Sequence, residues 1–114
     1  MKYQHQKLAS GGWKKLNFFE QMANIGSEVE RAIIWRNKKN DLYGQKAIER
    51  ALELLTFTIA DAKNRKRLKE LTRLRETLID YFFDENQYSS SDRLWQKYFY
   101  TFNYAARVNA GIVR

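Results

Sequence analysis

The chain has 114 residues, and its 21 Lys and Arg against 13 Asp and Glu give a net charge of +8. A hydrophobic fraction of 44% beside 30% charged residues is the balance of one globular domain and excludes a disordered chain. The absence of cysteine excludes disulfides, thiolate nucleophiles and cysteine–zinc sites.

Proline is also absent, which suits continuous helix. Residues 1–12 contain no apolar run of about 7–15 residues, so a secretory signal is not expected. No apolar run approaches the roughly 20 residues of a membrane span. A reducing cytoplasmic setting and no membrane partner follow as expectations. The charge excess by itself favours a polyanionic partner: nucleic acid, an acidic protein or an anionic membrane surface. The alternative is a basic surface that serves only solubility.

Residues 1–16 read as a basic arm, in which Lys2, Lys7, Lys14 and Lys15 meet no acidic residue and Ser10-Gly11-Gly12 is a break. Trp13 and Leu16 are expected to pin its end to the domain, 17–107. The first helix is predicted over Phe18 to Asn37, capped by Asn17, because Phe18, Met22, Ile25, Val29 and Ala32 are spaced as a bundle seam. Gly26 in that helix suggests close packing. After the polar turn Lys38-Lys39-Asn40-Asp41, the second helix is predicted over Leu42 to Ala60, with Ala47, Ile48, Ala51, Leu52, Leu55 and Ile59 on one face.

A third helix is predicted over Asn64 to Phe83, with Leu68, Leu71, Leu74, Leu78 and Phe82 inward. Asp80, Asp84 and Glu85 read as a solvated acidic turn at its end. Ser89-Ser90-Ser91 before Asp92 is a capping signature. It opens a fourth helix to Arg107 with Leu94, Trp95, Tyr98, Phe99, Phe102 and Ala106 inward, and residues 108–114 form a tail. Short connections between helices of this length imply an all-α, antiparallel four-helix bundle. No period-two alternation is sustained, so strands are not expected.

No catalytic constellation is present. His5 is the only histidine and sits in the arm. Glu28 and Glu30 lie two apart and cannot share a helix face. The Gly-Gly pair matches neither a phosphate-binding loop nor a dinucleotide fingerprint. No enzyme activity, metal or cofactor is expected.

The cations carry more information. Lys63, Arg65, Lys66, Arg67, Lys69, Arg73 and Arg75 crowd a short stretch that only Glu70 opposes. At 100° per residue, Arg65, Lys66, Lys69 and Arg73 fall opposite the leucine stripe, forming a ridge that could follow a phosphate backbone. Arg75 falls on the apolar side and is expected to pair with a carboxylate. On the fourth helix, Arg93, Lys97, Tyr100, Tyr104 and Arg107 lie opposite the core. Tyrosines among cations suit base stacking with phosphate contacts, and suit a protein interface equally. The alternative for the ridge is a plain solvated face, and for Tyr100 and Tyr104 it is packing on a neighbouring helix or on the arm.

Phe19, Ile34, Trp35 and Phe57 lie off the seams. They suggest a homo-oligomer interface unless the arm covers them.

The bundle resembles small basic four-helix-bundle proteins encoded by intervening sequences in bacterial 23S ribosomal RNA genes, and the accessory variability proteins of diversity-generating retroelements. The likeness covers residues 17–107. It rests on size, on Phe18-Phe19-Glu20 opening the first helix, and on the basic third and basic, aromatic fourth helices. The resemblance implies a cyclic oligomer with a basic surface that, in the retroelement members, serves a reverse transcriptase and its RNA template. The HEPN nucleases, a third small-bundle group, use an Arg-x4-6-His motif, whereas no histidine follows His5 here. The expected function is therefore a non-catalytic accessory protein that binds nucleic acid, RNA before DNA. The competing expectation is an interaction module for an acidic protein.

Overall fold

The computed structural model describes residues 11–109 and Gly111. Most of the expected arm, with His5, and part of the expected tail lie outside the described residues. The described residues are all-helical, with 85% of them in helix and no strand among them. Four α-helices run Phe18–Asn37 (α1), Asp41–Ala60 (α2), Leu68–Phe83 (α3) and Asp92–Asn109 (α4). Short 3₁₀ segments occupy Trp13–Lys15 and Ala62–Arg67.

Local chemistry explains the helix starts. Asn17 accepts from the Glu20 N–H at 2.8 Å while the Glu20 carboxylate accepts from the Asn17 N–H at 2.9 Å, a reciprocal capping box. Asn40 caps α2 through the Tyr43 N–H. Ser91 accepts from the Leu94 N–H at the start of α4, as the serine run predicts.

α1 is the central helix. It lies against both α2 and α4, and α2 lies against α3. The seam residues Met22, Ile25, Val29 and Ala32 are buried against Ala47, Ile48, Ala51, Leu54 and Leu55 of α2, Leu71 and Leu78 of α3, and Trp95 and Phe99 of α4. A side chain of this kind contributes about 1.5–3 kcal/mol when fully buried. Contacts at both ends fix the order of the helices. Gln21 near the start of α1 meets Asp61 beyond the end of α2, and Phe18 packs edge-on against Phe102 late in α4. At the other end of α1, Arg36 meets Tyr81 late in α3 and Asp92 at the start of α4.

A buried polar network closes the first of these ends. Gln21 Nε2 donates to the Trp13 carbonyl at 3.0 Å and to Asp61 Oδ2 at 2.9 Å, and Gln21 Oε1 accepts from Asn64 Nδ2 at 2.8 Å. Asn64 also donates to the Thr58 carbonyl, and the Trp13 indole donates to Thr58 Oγ1 at 2.9 Å. Trp13 thus belongs to the core, as expected, at 2% exposure.

The network also accounts for the first of several departures from the sequence reading. α3 starts at Leu68 and not at Asn64. Asp61 caps the Lys63 N–H, and the buried Asn64 side chain holds residues 62–67 in a tight 3₁₀ turn. The register expected of a single α-helix is lost there, and Leu68 is left 45% exposed. Leu94, also expected inward, is 56% exposed. Arg75 is exposed and has no ion pair among the described residues. Asp80 is buried, its carboxylate accepting from the Gln87 and Tyr88 N–H groups, so the α3–α4 turn is tied down from within.

Two substitutions test this packing. Burial pushes the Asp61 carboxyl up, but hydrogen bonds from the Lys63 ammonium, Gln21 and the Lys63 N–H outweigh that effect and hold it below its ordinary 3.8. A depressed carboxyl contributes stability above the unfolded value and loses it as pH falls through the folded one. Asp61→Asn should therefore cost about 1–3 kcal/mol in neutral denaturant titrations. The gap from wild type should close as the pH falls below 3.8. At Gly26, an added Cβ would lie 2.7 Å from Phe99 Cβ. Gly26→Ala should accordingly lower the denaturant midpoint by the equivalent of about 1–3 kcal/mol, despite alanine's better helix propensity.

Candidate nucleic-acid interface

The network divides the cations of residues 63–75 into two groups. Lys63 is spent on the fold, since its ammonium lies 2.5 Å from Asp61 Oδ2 and donates to the Lys14 carbonyl. Arg67 covers the Phe18 ring at 4.0 Å and sits 3.9 Å from Glu70. Arg65, Lys66, Lys69 and Arg73 remain exposed and form no ion pair among the described residues. These are the four residues of the predicted ridge, although Arg65 and Lys66 reach the surface from the 3₁₀ turn and not from α3.

The α4 stripe is likewise outward. Arg93, Lys97, Tyr100, Tyr104 and Arg107 are all exposed, Tyr100 at 67% and Tyr104 at 46%. None of its three cations is ion-paired among the described residues. Trp95 and Phe99 on the opposite side of α4 are stacked at 6.0 Å and hold the helix to the core.

The two predicted groups do not meet in one place. Arg73 borders a groove between α3 and α4, while Tyr100 borders a second groove between α1 and α4, where Gln96 donates to Glu30. The buried edge of α4 separates them. Glu28, the other acidic residue of that stretch of α1, is buried and paired with Arg31 at 2.6 Å.

The α3–α4 groove is a feature that periodicity could not reveal. α3 and α4 are not closely packed on one another. Leu74, Thr77, Leu94, Trp95 and Tyr98 line the gap, with Glu70 and Arg73 at its mouth and a cavity volume of about 330 Å³. Burial, and then the charge and hydrogen bond of Glu70, push the Tyr98 phenol well above its ordinary value, so it stays protonated. The Trp95 indole N–H is buried and has no acceptor.

A second cluster missed by pattern reading positions α4. Arg36 donates to Asp92 at 2.6 Å and to the Tyr81 hydroxyl at 2.8 Å, and the Tyr81 hydroxyl donates to Asp92 at 2.5 Å. The Arg36 guanidinium also lies 4.6 Å from the Tyr81 ring and 4.8 Å from that of Phe82. Burial and the bond to Asp92 hold the Tyr81 phenol above its usual value, against the charge of Arg36.

The expected oligomer residues divide as well. Phe19 and Phe57 pack against the chain's own core, and Trp35 is half-buried edge-on to Tyr43 at 5.0 Å. Ile34 is 42% exposed, and Leu42, Tyr43 and Phe83 join it as exposed apolar groups.

No group of three or more metal-ligating side chains occurs among the described residues. None of their helices is long and apolar enough to cross a membrane. Comparison with protein-family models, with curated proteins and with solved structures finds no match to this chain.

Exposed, unpaired cations do not hold the fold together. The triple change of Lys66, Lys69 and Arg73 to Gln should keep the helical circular dichroism signal and shift stability by no more than about 0.5 kcal/mol per site.

Proposed function

We propose that this chain is a non-catalytic RNA-binding protein, built as an antiparallel four-helix bundle, that acts as an accessory component of a cytoplasmic ribonucleoprotein. One observation carries the reading. Seven cations, Arg65, Lys66, Lys69, Arg73, Arg93, Lys97 and Arg107, stand exposed on outer faces without an ion pair among the described residues. Exposed cations without ion pairs at this density favour a polyanion, because each phosphate contact releases condensed counterions. Tyr100 and Tyr104 add exposed rings on which unpaired bases can stack, which favours RNA or another single strand over duplex DNA. A reverse transcriptase as protein partner rests on the resemblance alone.

Self-association fits the same picture. Ile34, Tyr43 and Phe83 are exposed, and a homo-oligomer would repeat the cations around its symmetry axis and add weak contacts by avidity. The same cations would also receive an acidic protein partner, which is the second reading.

Fluorescence anisotropy with single-stranded RNA across a salt series separates the two. Wild type should bind with an affinity that falls steeply with salt. The Lys66, Lys69 and Arg73 triple Gln variant should flatten the log–log slope by about two units, at roughly 0.7 per lost contact to a single strand. An absence of RNA or DNA affinity at low salt would discard this reading in favour of the acidic protein. Unchanged binding in the triple variant would move the site to the α4 stripe or to residues 1–16.

A further inference from the structure

We propose that the groove between α3 and α4 is a nucleobase pocket, in which one base of a bound RNA strand inserts while its phosphate meets Arg73. The proposal rests on the RNA-binding reading and gives that site a specific anchor. Its walls are Leu74 and Thr77 from α3 and Leu94, Trp95 and Tyr98 from α4. The cavity of about 330 Å³ lies at the small end of the range for ligand clefts, about 300–1,000 Å³. That volume suits a planar ring better than the apolar face of a partner helix.

Two further observations favour a base. The first is an unmatched donor. Trp95 is 6% exposed, and its indole N–H has no hydrogen-bond partner. Buried polar groups are nearly always paired, so this orphan donor favours an acceptor supplied by a ligand, which reaches it once a groove side chain shifts aside. Base carbonyls and ring nitrogens are such acceptors. Trp95 also borders the α1–α4 groove, but the lining there holds Glu30 and no cation to meet a phosphate.

The second is continuity with the ridge. Arg73 is the last of the four ridge cations and stands at the groove mouth, its guanidinium 5.6 Å from the Tyr88 ring. A strand that follows Arg65, Lys66 and Lys69 arrives at the opening. Against them stands Glu70, the one anion at the mouth. Its carboxylate is partly screened, by the Tyr98 hydroxyl at 3.5 Å and Arg67 at 3.9 Å. Glu70 limits affinity for a polyanion without closing the pocket, so Glu70→Gln should tighten RNA binding.

Leu94→Arg provides the test. Leu94 is 56% exposed and arginine matches its helix propensity, so the fold should stand. The variant adds a cation, which by charge alone would strengthen binding, yet it obstructs the groove. Base insertion predicts about tenfold weaker binding to an oligoribonucleotide of about eight nucleotides, the loss of roughly one stacked base. In parallel, the indole N–H resonances of the three tryptophans are followed by NMR, the Trp95 signal being the one lost in Trp95→Phe. That signal should move downfield on adding the RNA and stay in place with an abasic ribose-phosphate strand of equal length.

Leu94→Arg binding as tightly as wild type, or a stationary Trp95 signal at saturating RNA, overturns the pocket. The RNA-binding reading then survives, because anisotropy still reports the complex. Failure of both strands to bind at low salt overturns both. A Trp95 shift with an acidic amphipathic peptide but not with RNA assigns the groove to a protein partner and overturns the base.

Discussion

One buried amide holds the end of the molecule from which the basic surface is built. Gln21 is fully buried, donates to the Trp13 carbonyl and the Asp61 carboxylate, and accepts from Asn64. These four residues come from three separate segments, and each supplies what another lacks. In a low-dielectric interior such a network is worth having only when complete, since any unmatched member keeps its full desolvation cost. Completeness therefore imposes geometry. Asn64 must turn inward and Lys63 must reach Asp61, so residues 62–67 take a 3₁₀ path that delivers Arg65 and Lys66 to the surface.

The opposite end is closed by a different kind of contact. Arg36 lies over two aromatic rings and shares Asp92 with the Tyr81 hydroxyl, joining the end of α1 to α3 and to the start of α4. Side chains of α1 thus clamp the bundle at both ends, and α3 and α4 each owe their position largely to other helices. Nothing requires them to close on one another. The groove between them follows from that arrangement, and the orphan indole of Trp95 and the exposed Leu94 are its local signs.

Charge follows the same division of labour. Lys63, Arg67 and Arg36 are held by carboxylates and rings and act as structural groups. The ridge and α4 cations form no ion pair among the described residues, so their charge is available to a ligand. Each groove of α4 carries one carboxylate, Glu70 or Glu30, and only the α3–α4 groove adds a cation, Arg73.

Much was legible in the sequence. The all-α class, the caps at Asn17 and Ser91, the α1 seam, the end of α3 at Phe83, the burial of Trp13 and the outward cations of α4 follow from local rules, because capping and 3.6-residue periodicity act within one or two turns. The break at residues 62–67 was not legible, since Asn64 looks like any polar residue until Gln21, forty-three positions away, stands beside it. Phe19 and Phe57 looked outward because a seam drawn for one neighbour ignores the others that cover them. Leu68, Leu94 and the open groove depended on how far apart two helices rest. That distance is decided by side chains on α1 and by the α3–α4 turn, so only the tertiary structure could fix it.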